Sequence, residues 1–163
     1  ATTTTDTSDT PTTNDTSNTS QSTSSATASG NITWTNSTFG VSGNIGITVQ
    51  ASGTTLTSLG FSSDFDGSSD TISGLSVPFA DNDPVSVTLT SAVYGQIELT
   101  FFRSSGRFSA TRQDSLRGTI SYEGTYSVSG NTLTINGTFS VPTFSATGPF
   151  SGSITGEAIS LLL

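Results

Sequence analysis

The sequence predicts an all-β fold: an antiparallel β-sandwich or jelly-roll-like single domain carrying an extended, Thr/Ser-rich N-terminal arm. Three observations carry this expectation. Thr and Ser make up 63 of the 163 residues, and a hydroxyl-rich, β-branched composition suits strands and disfavours long helices. From residue 31 onward apolar side chains recur at every second position, the period of a half-buried strand. Short Gly/Ser/Asp turns separate these runs, and about ten short strands so spaced point to a β-sandwich or jelly roll. No ten-residue stretch shows a helical apolar stripe.

Residues 1–30 form the arm. From Thr2 to Ser29 there is no Val, Ile, Leu, Phe, Tyr or Trp, so this stretch has too little apolar surface to offset the entropy of ordering it alone. Residues 31–163 form the domain. It opens with "NITWTN", which places Ile32 and Trp34 on one side. "NIGITVQ", "TLTSLGF" and "TISGLSV" fill the first half. "PVSVTLT" turns Val85, Val87 and Leu89 inward, and "GQIELTF" turns Ile97, Leu99 and Phe101 inward. After an "SSG" turn, "RFSAT" does the same with Phe108 and Ala110. The clearest pattern is "LRGTISYEGTYSV". There Leu116, Gly118, Ile120, Tyr122, Gly124, Tyr126 and Val128 share a face, and polar residues take the other. "SGN" follows as a turn, with Gly130 free to adopt positive φ. The returning strand "TLTINGTFSV" points Leu133, Ile135, Gly137, Phe139 and Val141 inward. The chain closes on "GEAISLLL", with Ile159, Leu161 and Leu163 on one face. It reads as the last core strand, or as an edge that another chain covers.

Composition excludes several kinds of chemistry. Without Cys there is no disulfide framework and no thiolate. Without His, the commonest general base and metal ligand is missing. All four basic residues are Arg, and the net charge is −8. That balance argues against a nucleic-acid partner, which needs a basic footprint. No run of 18 apolar residues is present, so no membrane span is expected. The chain has no Met, and Ala1 suits the residue that follows a signal-peptidase cut. A secreted or extracellular-surface location is therefore expected.

Three groups of residues are candidates for a site. "SDFDGSSD" sets Asp64, Asp66 and Asp70 around Gly67, and "ADNDP" adds Asp81 and Asp83. Oxygen-rich loops with alternating Asp and a tight Gly suit Ca²⁺, but the distal bidentate Glu is absent and the same residues make ordinary Asx turns. The four arginines, Arg103, Arg107, Arg112 and Arg117, fall on one meander. They form either one pole of a dipolar surface facing acidic loops of a neighbour or an anionic glycan, or solvated charges along strand edges. Five N-glycosylation acceptors occur, at Asn14, Asn18, Asn31, Asn36 and Asn136. The arm itself has the composition of an O-glycosylated stalk or of an unmodified linker. No enzyme is expected. Glu98 and Glu123 lie on polar faces, and no His or Lys stands ready to activate a Ser.

An extended N-terminal arm, an all-β domain and an apolar C-terminal strand together resemble donor-strand, pilin-like subunits of extracellular surface fibres. The resemblance is one of architecture. The chain departs from that family in having no Cys pair, and residues 1–28 lack the alternating apolar side chains of a donor strand. It implies a structural subunit that assembles head to tail with itself into a filament or surface layer. The first segment fit to fill a groove is 31–41, with Ile32, Trp34, Phe39 and Val41 as interface residues, joined by Ile159, Leu161 and Leu163 at the other end of the chain. The alternative is a stalked carbohydrate-binding or adhesion module with Trp34, Tyr94 and Phe102 as aromatic platform. A lone Trp such as Trp34 is more often a core residue than a platform. No cofactor is expected beyond Ca²⁺ at the Asp loops and covalent glycans.

Overall fold

The computed structural model describes residues 25–163. The described chain is all-β apart from one short helix and one 3-10 turn. Its strands are β1 (Ser25–Asn36), β2 (Val41–Ser52), β3 (Thr55–Ser63), β4 (Ser69–Ile72), β5 (Val77–Pro78), β6 (Val85–Ser91), β7 (Gly95–Phe102), β8 (Arg107–Asp114), β9 (Gly118–Ser129), β10 (Thr132–Val141) and β11 (Ala146–Thr155), followed by helix α1 (Glu157–Leu162). They make one antiparallel sheet in the order β4-β3-β2-β1-β11-β10-β9-β8-β7-β6, with β5 on the flank of β3. The strands form this one sheet and do not divide into the two sheets of the expected sandwich or jelly roll. Apart from β5, strands consecutive in sequence pair within the runs β1–β4 and β6–β11, and the first and last strands pair with each other, Ser29 opposite Thr155 through Trp34 opposite Phe150.

The sheet curls until β4 and β6 face one another across a seam, giving a nearly closed barrel. No ladder joins these two strands among the described residues. Side chains close the seam instead. The Ser91 hydroxyl donates to Asp70 (2.5 Å) and accepts the N–H groups of Val93 (3.1 Å) and Tyr94 (2.9 Å). The Tyr94 hydroxyl meets Ser68 (2.9 Å), and its ring meets Phe61 edge-on at 6.3 Å. Ser91 is one of two buried polar residues among the described residues, and its hydroxyl is the hub of this closure. Ser91→Ala therefore strands two N–H groups and a carboxylate, and it is expected to cost about 2 kcal/mol in a denaturant titration; a change below about 0.5 kcal/mol would show that the seam holds without it.

A line of inward glycines lets the sheet bend this sharply. Gly124 pairs with Gly137, Ile135 with Gly152, and Gly152 with Ile32. A Cβ on Gly137 would lie 2.0 Å from the Glu123 carbonyl oxygen, and one on Gly152 would lie 2.1 Å from that of Asn31. The strands approach here as only glycine allows, the device that turns barrel corners. The apolar interior falls into two clusters. One holds Val49, Leu56, Leu89, Leu133, Ile154 and Ile159. The other holds Ile120, Ile135, Phe139, Val141 and Phe150, with Trp34 packed against it.

The strand expected at the C-terminus is a helix. β1 is already bonded to β2 on one side and to β11 on the other, so a further strand finds no free edge there. The chain turns after Gly156 and satisfies its own backbone as α1. Ala158, Ile159 and Leu162 are buried against β1 and β2 and plug that end of the barrel. Ile159 is thus buried as expected, but Leu162, not Leu161, shares its face. Two further expectations are corrected. Leu116 is 81% exposed at the tip of the β8–β9 turn, because β9 starts only at Gly118. Residues 25–30, assigned to the arm, form the first half of β1. Gly130 closes the β9–β10 turn at φ 60° as expected.

Candidate functional site

In an antiparallel meander the turns alternate between two ends, and here the ends differ. The α1 end carries the β2–β3, β7–β8 and β9–β10 turns, the β4–β6 connection and the start of β1. The far end carries the β1–β2, β3–β4, β6–β7, β8–β9 and β10–β11 turns. Every turn at the far end exposes a large apolar residue: Phe39 (60%), Phe65 (53%), Val93 (50%), Leu116 (81%) and Phe144 (47%). Val41 is also exposed there. By contrast, the α1 end shows "SGTT" and "SGNT" turns, with only Phe102 and Val128 moderately exposed. Scattered exposed apolar residues are ordinary, but a ring of them on five separate turns is not.

The Asp residues divide between the ends. Asp64, Asp66 and Asp70 belong to the far end. Asp64 accepts from the N–H (2.7 Å) and the side-chain amide (3.0 Å) of Asn44. Asp66 accepts from the Ser68 hydroxyl (2.6 Å) and N–H (3.0 Å). Asp81 and Asp83 lie at the α1 end, where Asp83 accepts the N–H groups of Arg103 (2.8 Å) and Ser104 (2.9 Å). The five expected calcium ligands therefore do not converge. Among the described residues no group of three metal-ligating side chains comes together.

The arginines have separate employments. Arg112 points inward beside Asp114 (3.1 Å), which Arg117 also reaches (3.0 Å). Asp114 further accepts the N–H groups of Leu116 and Arg117, both at 2.8 Å. The Arg112 guanidinium stands over the Tyr94 ring at 5.5 Å from its centre. These are the ion pairs of the described residues. Arg103 donates to the carbonyls of Phe79 (2.6 Å) and Asn82 (3.3 Å), and Arg107 stands exposed on the same β7–β8 turn. Arg103 and Asp83 also line an open cleft of about 610 Å³ with Tyr126, Val128 and Leu163.

Ile32 and Trp34 face the interior, half-buried. Trp34 is boxed edge-on by Phe65 (5.5 Å) and Phe139 (6.1 Å), so it is a packing residue and not an open platform. Tyr94 is held by Ser68 and Arg112. Leu161 and Leu163 pack partly against the core. Asn31 and Asn136 point outward and are exposed, whereas the Asn36 side-chain oxygen Oδ1 accepts from the N–H groups of Thr38 and Phe39, both at 3.0 Å, inside its turn. Asn14 and Asn18 lie outside the described residues. The outer wall is clad in hydroxyls, with pairs such as Thr132–Thr155 at 3.2 Å. No helix among the described residues is long and apolar enough to cross a membrane.

The titration behaviour follows from these contacts. Asp64 is held below the ordinary carboxyl value of 3.8, first by the backbone N–H of Asn44 and then by its side-chain amide. Asp66 and Asp70 are lowered by the hydroxyls of Ser68 and Ser91. Burial pulls Asp114 up, but the N–H groups of Arg117 and Leu116 and the two guanidinium groups outweigh it and hold it low. Burial pushes the Tyr122 phenol above its ordinary 10.0, with Arg112 opposing. Carboxyls lowered on folding contribute stability above 3.8 that is lost as pH falls below it. A phenol raised on folding contributes below 10.0 and loses that contribution as pH rises past it. With no His, the unfolding free energy is expected to be flat between about pH 5 and 9 and to fall on both sides. A slope inside that window in urea titrations would overturn the assignment.

No protein-family model matches the chain, and neither does any curated protein.

Proposed function

We propose that the chain is a structural subunit of an extracellular filament or surface layer whose copies join head to tail. One observation supports this reading above the rest: the two poles of the barrel are unlike. One is a ring of apolar turn tips with Asp64 and Asp66 among them. The other carries Arg103 and Arg107 and is the end from which the N-terminal segment departs, since β1 begins there at Ser25. Unlike poles give a heterologous contact, and a heterologous contact that does not close generates a filament. The 24 residues before β1 span at most about 80 Å when extended, enough for the arm to reach along a neighbour. Their hydroxyls match the hydroxyl-clad outer wall, and N-linked glycans fit best at Asn31 and Asn136. Exchange of 31–41 between subunits would first require β1 to leave both of its partners, so the arm that links copies is better placed in residues 1–24.

The same polarity favours a second reading, a stalked adhesion module. Its tail leaves from one end, and the aromatic tips Phe39, Phe65 and Phe144 at the other meet a carbohydrate surface. Negative-stain electron microscopy of the full chain and of a variant lacking residues 1–24 separates the two. Filaments that disappear in the truncated chain are expected. Monodisperse particles in both samples would overturn the filament reading in favour of the module.

A further inference from the structure

We infer that the apolar crown at the far end is the subunit contact, and that it seats on the α1 end of a second copy of this chain, against the β7–β8 turn. The inference rests on the head-to-tail reading and names the surfaces that meet. Phe39, Phe65, Val93, Leu116 and Phe144 come from five different turns, yet all project from one end. Among the described residues the turns of the other end have only the less exposed Phe102 and Val128 beside them. The residues 1–24 of the chain cannot cover it, because they contain no large apolar side chain.

Charge selects the occupant. Asp64 and Asp66 stand exposed among the tips, each bonded only to neutral groups. The crown's one exposed base, Arg117, is held by Asp114. An anionic bilayer is therefore disfavoured at this end, and so is a second crown, which would set these carboxylates against their own copies. The opposite pole of the same molecule carries both signs of charge, with Asp81, Asp83 and Glu157 at the same end as Arg103 and Arg107. There Arg103 and Arg107 flank the β7–β8 turn with no ion pair among the described residues, beside exposed Phe102 and Val128. Asp81 and Asp83 neighbour Arg103 on the adjoining loop, which leaves Arg107 as the cation best placed to meet Asp66. Apolar tips at the centre with an opposite-charge pair at the rim is the usual anatomy of a specific contact.

The test is sedimentation velocity of the full chain over a range of concentrations, with circular dichroism to verify folding. Phe39→Ser/Leu116→Ser/Phe144→Ser leaves Phe65 on Trp34 and removes three tips that stand exposed. It is expected to weaken self-association by about 100-fold or more. Asp66→Arg and Arg107→Glu are each expected to weaken it about tenfold, and the two together to restore it. Self-association of the triple variant equal to wild type overturns the inference, as does a charge-swapped double variant no better than the singles. Flotation of the wild type, but not the triple variant, with phosphatidylcholine vesicles would make lipid the occupant and also overturn it. The two proposals fail separately. Filaments that persist in the triple variant sink the crown contact alone, whereas crown-dependent association without filaments sinks the filament alone.

Discussion

Gly137→Ala is expected to destabilise the barrel by about 4 kcal/mol or more. The added Cβ would sit 2.0 Å from the Glu123 carbonyl oxygen and 2.7 Å from the Gly124 Cα. Both are backbone atoms of the paired strand, so no rotamer change relieves the clash. The only escape is for β9 and β10 to separate, and that unbends the corner on which both core clusters depend. Gly130→Ala serves as the control. It sits at φ 60° in an open turn with no atom near its Cβ position, and its cost is the left-handed conformation alone, about 1 kcal/mol. Guanidinium titrations of the two variants decide the matter. A Gly137→Ala protein within 1 kcal/mol of wild type would mean that the corner is not built by glycine.

The second large effect separates the helix from the strand at the C-terminus. In α1, Leu162 is 5% exposed and plugs the barrel end, while Leu161 packs only partly against it. Leu162→Ala is expected to cost about 3 kcal/mol and Leu161→Ala about 1 kcal/mol. A strand with Ile159, Leu161 and Leu163 facing inward reverses that order. Thermal or urea unfolding of the pair therefore reads the local secondary structure directly, and equal losses would fit neither arrangement.

The strands legible in the sequence were those whose inward positions carry bulky side chains. In β6, Val85, Val87 and Leu89 alternate with Ser and Thr, and all three are buried. β9 and β10 were legible for the same reason. β11 was not, although it lies at the centre of the sheet. Its inward positions are Ala146, Gly148, Phe150, Gly152 and Ile154, and glycines register no hydrophobic period. Pro149 also argues against a central strand. It is tolerated because the β1–β11 ladder stops at Trp34–Phe150, one residue before a second neighbour would need its missing N–H. The helix was missed because "AISLLL" is too short for a stripe to show, and what decides it is the absence of an edge to pair with, a property of the whole sheet. The candidate site was legible residue by residue but not as a place. Phe39, Val41 and the Asp loops were noted, yet only the alternation of turns between two ends brings Phe39, Phe65, Val93, Leu116 and Phe144 together.

The pairing of β1 with β11 also sets an order of events when the chain folds. β1 to β4 and β6 to β11 are two runs of hairpins, and each can form from neighbours in sequence within microseconds to milliseconds. Joining them requires Trp34 to find Phe150, and that loop closure comes after nearly all the local contacts are made. Until it happens, β1 presents an unsatisfied edge and the two half-sheets hold their apolar faces open to water. A newly made chain thus stays incompletely closed until its last strand is available.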